Sequence, residues 1–352
     1  MPQDRGEHAD AEVARQAAVK DLLAEAYGVT VDGLTFLGGE LDRNYRVTTA
    51  AGEHLLAKWQ ASQDGADSRR WREEILAHLV GRDVGAAVPT IIPTLDGARH
   101  TRIGAEGVVL TVFNWVPGTE LAKIEYHSEA LLTHLGMTAA RVTTALEGFP
   151  VEMLPTTHHW DATRSREAIL ACITDEPQLA TEHFVRTTLD YFDAIAPRLD
   201  ALPRAVLHHD LNDNNVLVDT SQHTVSGVLD FNDALYTIQV AEVAIAGAYA
   251  MLRKDDPLSA LARVVSGYRS VRALNDDELE IIYPLAVSRL CVQTLTWTVR
   301  DRASPTSYGS MRMQHTLPTL RKALRVTPAA AAEYLYTAGQ PTTLASGEGL
   351  RQ

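Results

Sequence analysis

One short segment near the middle of the chain constrains the fold more than any other. Between Ala205 and Asp233 the sequence reads AVLHHDLNDNNVLVDTSQHTVSGVLDFND, in which three apolar runs alternate with polar stretches. The runs at 205–207, 216–218 and 225–229 are typical of short strands, and the polar stretch 220–224 is typical of a turn. A hairpin of this length brings the end of its second strand beside the loop that precedes its first. Side chains that are distant in sequence therefore converge there.

Three of these converging side chains have the chemistry that phosphoryl transfer requires. Asp210 can hold an attacking hydroxyl and accept its proton, so it is our candidate catalytic base. Asn215 and Asp230 offer the amide and carboxylate oxygens that Mg²⁺ binds together with phosphate oxygens. With His208 before them, Asp210 and Asn215 match the pattern H-x-D-x-x-x-x-N, and Asp230 opens a D-F-x-D. Asp and Asn are also common in plain turns, but the whole combination between strands favours a catalytic interpretation.

The first third of the chain has the pattern of a small antiparallel sheet. Helices are predicted over residues 11–27 and 68–80 from apolar positions at helical spacing. Strands are predicted over residues 31–37, 44–49, 53–59, 98–103 and 107–115. A turn containing Gly38 and Gly39 joins the first two strands, where backbone amides can approach phosphates. Asp42 and Asn44 belong to this hairpin, and we predict that they contribute to nucleotide binding.

Lys58 lies in the third predicted strand, directly after three mostly apolar residues. A lysine on a partly buried strand face needs an anionic partner, because an unpaired buried charge is costly. Nucleotide phosphates and a helix carboxylate would satisfy it, and we predict Glu73 or Glu74 as that carboxylate. The simpler alternative is an edge-strand lysine that faces water. The presence of Asp210 and Asp230 favours the phosphate role.

The segment Phe113–Val116 connects the predicted sheet to the rest of the chain. Its backbone could hydrogen-bond the edge of a purine, and the Asn114 carbonyl and the Val116 amide are the candidates. An ordinary linker would have the same sequence, since backbone recognition leaves no side-chain pattern.

The remainder of the chain is predicted to be mostly helical. Helical periodicity covers residues 128–146, 164–173, 181–199, 239–253, 257–271, 276–303 and 318–336. We therefore expect an N-lobe over residues 1–115 and a helical C-lobe with the catalytic loop and acceptor site over residues 116–337. Residues 338–352, rich in Gly, Thr and Ser, are predicted to form a flexible tail. The functional site is expected in the cleft between the two lobes.

Composition excludes several classes of partner. The formal net charge is −13, with 32 basic and 45 acidic residues, which argues against nucleic acid and would suit a cationic small substrate. An acidic surface also simply favours solubility. No apolar run reaches the roughly 18–20 residues that cross a bilayer, and the polar N-terminus does not resemble a secretory signal. Cytoplasmic location and reduced, structural Cys172 and Cys291 are therefore expected.

These motifs resemble the aminoglycoside phosphotransferase and choline kinase superfamily, a small-molecule branch of the protein-kinase fold. The likeness extends from about Leu22 to Ala330. Within the superfamily the chain is most similar to the hydroxylysine kinase group. The segments that carry this likeness are Leu41–Val47, His159–Asp161, Leu211–Asp213 and Gly227–Asp233 running into Val243–Leu252.

The resemblance implies an α+β, protein-kinase-like two-lobed fold with a small antiparallel β N-lobe, one main helix and a larger helical C-lobe. It implies that Asp210 is the catalytic base, that Asn215 and Asp230 bind Mg²⁺, and that Lys58 orients the phosphates. His208 would support the catalytic loop, and Glu242 would tie the following helix to that loop. ATP is the commoner donor in the superfamily, and the hydroxylysine kinase resemblance adds GTP as an alternative donor.

Two residues depart from the family pattern. His209 stands where Gly or Asn is usual, and Asn232 replaces the usual Gly after Asp230 and Phe231. Asn tolerates left-handed backbone geometry, so Asn232 is expected to preserve the turn. His209 could reach the substrate side of the cleft. These changes bear on the choice of substrate and remove no group that the reaction needs.

The leading hypothesis is a small-molecule kinase that transfers the terminal phosphoryl group of ATP or GTP, with Mg²⁺, to a hydroxyl of an amine-bearing or sugar-like acceptor. One alternative is an antibiotic phosphotransferase that acts on an aminoglycoside or nucleoside-type drug, with the same catalytic residues. Another is a catalytically dead nucleotide-binding module, which should have lost one of these residues. The sequence makes no prediction of oligomeric state.

Overall fold

The computed structural model describes residues 3–38, 42–60, 66–103, 108–303 and 307–338. Its N-terminal part is a sheet with two helices, and its C-terminal part is mostly helical. The N-terminal elements are helix α1 (Gln3–Tyr27), strands β1 (Val31–Gly38), β2 (Arg43–Thr49) and β3 (His54–Gln60), helix α2 (Ala66–Leu79), and strands β4 (Ile91–Ile92), β5 (Thr101–Ile103) and β6 (Val108–Asn114).

The N-terminal sheet is antiparallel and has the order β1-β2-β3-β6-β4, with β5 also paired to β6. Lys58 lies on the central strand β3, where its register partners are Asn44 on β2 and Thr111 on β6. Because successive side chains point to opposite faces of a strand, Lys58 and the fully buried Ala57 face opposite sides. Ala57 faces an apolar core, and Lys58 faces the cleft.

Helix α1 covers the apolar face of this sheet. Val19, Leu23 and Tyr27 pack against sheet residues such as Tyr45 and Val112 in one buried cluster. The Tyr27 hydroxyl also donates to the backbone oxygen of Leu110 at 2.8 Å. Helix α1 begins eight residues earlier than its predicted start at residue 11.

Helix α2 buries its apolar residues in a different core. Trp71, Ile75 and Leu79 belong to the large cluster that fills the helical lobe, not to the cluster between α1 and the sheet. A second link between the lobes is the parallel bridge between Ala87 and Gly227. Its hydrogen bonds run from the Ala87 N–H to the Ser226 oxygen and from the Val228 N–H to the Ala87 oxygen, each 2.9 Å long.

The helical lobe surrounds the segment that carries the catalytic motifs. Its elements are β7 (Thr119–Glu120), α3 (Glu129–Ala145), α4 (Ser165–Asp175), α5 (His183–Ile195), β8 (Arg204–Leu207), β9 (Val216–Asp219), β10 (Thr224–Val228), β11 (Leu235–Ile238), α6 (Ala241–Ala250), α7 (Pro257–Val271), α8 (Asp276–Ala303), α9 (Ser307–Ala323) and α10 (Pro328–Ala338). Strand β9 pairs with β10 and β7, and β8 pairs with β11. Helix α6 is buried along its whole length, so the catalytic segment packs against the hydrophobic core.

Helices α3 and α7 cross unusually closely because each presents a glycine to the other. A Cβ added to Gly136 would lie 1.9 Å from the backbone oxygen of Val264. A Cβ added to Gly267 would lie 1.9 Å from the backbone oxygen of Thr133. Neither position can hold a larger residue unless the two helices separate.

The two-lobed α+β architecture with an antiparallel N-terminal sheet confirms the predicted fold class. The single helix predicted over residues 318–336 is wrong, because α9 ends at Ala323 and α10 begins at Pro328. Proline disfavours helical geometry in the residue before it, which separates the two helices at Thr327. Strand β11 was not predicted, and residues 339–352 of the predicted tail lie outside the described residues. Within the described ranges no helix is long and apolar enough to cross a membrane.

Candidate active site

The loop between β8 and β9 carries His208, Asp210 and Asn215, and its start is fixed by a buried histidine. His208 Nδ1 accepts a hydrogen bond from the Asp210 backbone N–H at 3.1 Å, and His208 Nε2 lies 2.8 Å from the Leu229 backbone oxygen. These partners make His208 a neutral ring with its proton on Nε2. Burial lowers the pKa of His208, which favours the same form. His208 thereby links the loop to the end of β10.

Asn215 holds the carboxylate of Asp210 in place. Its Nδ2 atom donates to Asp210 Oδ2 at 2.8 Å and to the Asp210 backbone oxygen at 3.0 Å. Asn212 Nδ2 donates to the same Oδ2 atom at 2.7 Å. Since Nδ2 supplies both of these bonds, the Oδ1 atom of Asn215 remains the group of this side chain that could accept a ligand.

Asp230 is brought beside this loop by the hairpin. The Leu229 N–H donates to the Asn215 backbone oxygen at 2.8 Å, which joins the two segments. Asp230 itself has the left-handed backbone, with φ at 60°, and its Oδ1 atom accepts the Asn232 N–H at 3.4 Å. The expectation that Asn232 supplies left-handed geometry is therefore wrong, because the positive φ lies at Asp230.

Glu242 and His209 form a buried support beneath the loop. The Glu242 carboxylate accepts the backbone N–H groups of His208 at 3.3 Å and His209 at 2.9 Å. His209 has φ at 65° and is fully buried, and its ring lies 5.3 Å from that of His158. Its Nε2 atom accepts the Ala162 N–H at 3.3 Å. The ring of His209 therefore packs beneath the 158–162 segment.

A cavity of about 640 Å³ lies between the sheet and this loop. Asn215 and Asp230 line it on the helical lobe, and Lys58 and Glu73 line it on the N-lobe. Although the chain has a net charge of −13, the cavity wall contains more basic than acidic residues. The basic ones are Arg46, Lys58, Arg69, Arg72 and Lys123, and the acidic ones are Glu73, Glu120 and Asp230. A cationic wall of this kind attracts an anionic ligand such as a polyphosphate.

The partner of Lys58 differs from the sequence expectation. Lys58 Nζ lies 2.8 Å from Asp42 Oδ2, and Gln60 Nε2 donates to the same oxygen at 3.2 Å. Glu73 instead contacts His100 Nδ1 at 2.6 Å, and Glu74 contacts Arg99 at 2.8 Å. The pairing of Lys58 with Glu73 or Glu74 is therefore wrong for this structure. Helix α2 packs in the core of the other lobe, whereas Asp42 directly precedes β2, the strand that pairs with the strand of Lys58.

Asn44 and the connecting segment also border the cavity. Asn44 Nδ2 donates to the Gly38 backbone oxygen at 3.1 Å, so Asn44 closes the hairpin between β1 and β2. Residues 39–41 of that hairpin lie outside the described residues. Asn114 and Val116 line the cavity where the two lobes join. The Asn114 side-chain oxygen accepts the Thr90 N–H at 2.6 Å, which orients this connection.

The oxygen donors of Asn215 and Asp230 suit a divalent cation that is completed by phosphate oxygens and water. The described residues contain no group of three or more His, Cys, Asp or Glu side chains arranged for a metal. This donor set fits a divalent cation that takes most of its ligands from the phosphate oxygens of a nucleotide and from water. Asn215 Oδ1 and the Asp230 carboxylate are the protein groups that could hold such a metal.

Sequence reasoning missed Arg289, which contacts Asp210 from helix α8. Arg289 Nη2 lies 2.5 Å from Asp210 Oδ1, and the arginine side chain is only 4% exposed. The sequence did contain one indication of a buried charge. The run from Leu285 to Val292 is apolar except for Ser288 and Arg289. A charge inside a buried helix indicates a specific partner.

The fold and the cavity define a small-molecule phosphotransferase of protein-kinase-like architecture. The chain belongs to the phosphotransferase enzyme family, whose model matches residues 32–276. It is 26% identical over 293 residues to a hydroxylysine kinase of Danio rerio, covering 78% of this chain and 80% of that protein. It is also 26% identical over 251 residues to a homoserine kinase of Gluconobacter oxydans, covering 68% of this chain and 73% of that protein.

Among solved structures, an amicoumacin kinase in complex with AMP-PNP and Ca²⁺ superposes with a TM-score of 0.65. The match covers 93% of this chain and 97% of that chain at 15% sequence identity. At this identity the likeness shows a shared fold over nearly the whole length of both chains.

Proposed function

We propose that this chain transfers the terminal phosphoryl group of ATP or GTP, in the presence of Mg²⁺, to a hydroxyl of a small amine-bearing acceptor. The observation that carries the proposal is that Asp230 and Asn215, whose side chain holds the Asp210 carboxylate, line a cavity whose opposite wall contains Lys58. Asp210 would hold the acceptor hydroxyl, and Lys58 would orient the phosphates. Bound Mg²⁺, held by Asn215 and Asp230, would neutralise charge on the transferred group.

An amine on the acceptor is supported by the excess of carboxylates near the candidate base. Asp233 follows Asp230 by one helical turn, and burial together with the charges of Asp210 and Asp230 raises the pKa of Asp233 to about 7. The charges of Asp210 and Asp230 act on Asp233, and an acidic neighbourhood of this kind would favour a cationic group on the acceptor. The metabolic kinases among the relatives, for hydroxylysine and homoserine, act on acceptors of this type by name.

An antibiotic acceptor is the second candidate, because the fold is shared with an amicoumacin kinase. The catalytic residues would be the same, so the acceptor alone separates the two functions. A catalytically dead module is disfavoured because Asp210, Asn215, Asp230 and Lys58 are all present. Cytoplasmic action fits the two cysteines, Cys172 and Cys291, which are free and buried.

The test is transfer of label from terminally labelled ATP or GTP, with Mg²⁺, to a panel of hydroxylated amines, amino acids, aminoglycosides and nucleoside antibiotics. We expect one class of acceptor to be labelled, and the Asp210→Asn variant to lose about 10²–10⁴-fold in turnover. The variant should still bind nucleotide. Full transfer by Asp210→Asn would exclude the proposed mechanism, and labelling of antibiotics alone would select the second candidate.

A further inference from the structure

Arg289 is a buried cation whose contacts all lie in the region of the candidate base. It lies in the middle of α8, where most neighbouring residues are buried. Removing a guanidinium from water is strongly unfavourable unless an opposite charge and hydrogen bonds compensate. The compensating charge is the Asp210 carboxylate, whose Oδ1 atom lies 2.5 Å from Arg289 Nη2.

The orientation of the guanidinium is fixed by further contacts. Arg289 Nε donates to the Tyr249 hydroxyl at 3.2 Å, and Nη1 donates to the Trp160 backbone oxygen at 3.1 Å. The guanidinium carbon lies 4.8 Å from the centre of the Trp160 ring and 5.8 Å from that of Tyr249. A planar group held at three nitrogens and between two rings cannot rotate freely. Arg289 therefore presents Nη2 to Asp210 in one geometry.

The hydrogen bonds to Asp210 distinguish its two carboxylate oxygens. Oδ2 accepts two amide donors, from Asn212 and Asn215. Oδ1 accepts Arg289 among the hydrogen bonds of the described residues. A carboxylate oxygen has two lone pairs, so Oδ2 is saturated and Oδ1 retains one acceptor position.

We propose that Arg289 is a positioning residue for phosphoryl transfer, which acts by holding the Asp210 carboxylate so that Oδ1 takes the proton of the acceptor hydroxyl. The inference rests on the proposed function. In the step, the hydroxyl oxygen forms a bond to the terminal phosphorus as the bond from that phosphorus to the bridging oxygen breaks. The hydroxyl proton passes to Oδ1, and the nucleoside diphosphate leaves with the bond electrons.

Other charged groups surround this pair, and none of them substitutes for Arg289. Asp233 also faces the guanidinium, and His158, His208 and His209 lie nearby with their pKa values lowered chiefly by burial. Neutral histidines and a carboxylate cannot balance the negative charge of Asp210. A lysine at position 289 would keep the charge but would lack the planar, multiply anchored geometry.

A double-mutant cycle tests the proposal with Arg289→Met, Asp210→Asn and the combined variant, assayed for phosphoryl transfer with the acceptor found in the label panel. Arg289→Met should lower kcat about 10²-fold, as expected for a misplaced reacting group, with the nucleotide KM within about two-fold of the parent. In the Asp210→Asn background the same change should have little further effect, because Arg289 acts through Asp210. The matched control is Arg198→Met, since Arg198 also contacts α8, through Asp277 and Glu280, but on the surface.

Multiplicative losses in the combined variant, or an unchanged kcat for Arg289→Met, would overturn the proposal. Circular dichroism and thermal melting establish that each variant is folded. If Arg289→Met does not fold, Arg289→Lys takes its place in the cycle, with an expected loss of about ten-fold. Retention of full activity by Asp210→Asn would exclude Asp210 as the base in the proposed function, an outcome distinct from failure of the cycle.

Discussion

Glu242 Oε2 accepts the backbone N–H of His209 at 2.9 Å, inside a core from which water is excluded. The other carboxylate oxygen accepts the N–H of His208, so one side chain of α6 satisfies two donors of the catalytic loop. Burial is the main cause that raises the pKa of Glu242, to about 8. The resemblance-based expectation that Glu242 ties the following helix to the loop agrees with this geometry.

Glu242→Gln should change how stability depends on pH. The pKa of Glu242 is raised on folding, from 4.5 to about 8, so the native state binds a proton that the unfolded state releases. The stability from this group is complete below about pH 4.5 and is lost as pH rises through about 8. Glutamine mimics the neutral acid and does not titrate. The free energy of unfolding of the parent minus that of Glu242→Gln should therefore fall between pH 5 and pH 8.5, by at most about 1.4 kcal/mol per pH unit.

Urea unfolding of both proteins at several pH values measures this difference. Contributions of other titrating groups, Asp233 among them, cancel as long as they are unchanged in the variant. A difference that is independent of pH would mean that Glu242 is ionised in the folded protein throughout this range.

Asp42→Asn should strengthen nucleotide binding. Although the sequence predicts that Asp42 contributes to nucleotide binding, its ion pair would compete with the phosphates for Lys58, and both partners of the pair are about 15% exposed. Removing the competing charge should improve the Kd for ATP or GTP by about 1 kcal/mol, roughly five-fold. Glu74→Gln is the matched control, because Glu74 contacts Arg99, does not line the cavity and should leave the Kd within two-fold. Isothermal titration calorimetry measures the Kd of both variants, and the opposite ranking would assign Lys58 to Glu74 in the nucleotide complex.

Asp230→Asn should raise the metal requirement. Asparagine tolerates the left-handed backbone at this position, so the turn should persist while one charged metal ligand is lost. We expect activity to fall about 10²-fold at low Mg²⁺ and to recover in part as Mg²⁺ is increased, and chelation to abolish activity of the parent. Asp200→Asn serves as control, since the Asp200 side chain is fully exposed and pairs with Arg204. Equal Mg²⁺ titration curves for parent and Asp230→Asn would remove Asp230 from the metal site.

Gly136→Ala and Gly267→Ala should each destabilise the protein. Each added methyl group would meet a backbone oxygen at 1.9 Å, and backbone cannot move aside as a flexible side chain does. Overpacking of this kind costs roughly 1–3 kcal/mol, which urea unfolding can resolve. For comparison, an added Cβ at Gly33 would make an ordinary contact with Thr48 at 3.4 Å. Unaltered stability of both variants would show that α3 and α7 can separate at little cost.

The parts of the site that depend on local sequence could be predicted, and those that depend on long-range packing could not. His208, Asp210 and Asn215 lie in one loop, and a short hairpin brings Asp230 back to it, so their spacing in sequence determines their proximity. Arg289 reaches Asp210 across 79 residues, and no local pattern specifies which helix will pack there.

The same reason explains the error at Lys58. Helical periodicity does not distinguish Glu73 from Glu74 as the partner of Lys58. The partner in the structure is Asp42, whose position depends on the turn between β1 and β2.

The sequence predicts one helix in place of α9 and α10 because the apolar spacing continues across Thr327. Only the proline at position 328 indicates that a second helix begins there.

The division of the two apolar cores also determines how this molecule can bend. Helix α1 and the sheet share one core, while α2 shares the other with the helical lobe. If the sheet moved relative to the helical lobe, Lys58 and Asp42 would move together, whereas Glu73 would follow the sheet only through its contact with His100. The ion pair with Asp42 would compensate the charge of Lys58 throughout such a motion.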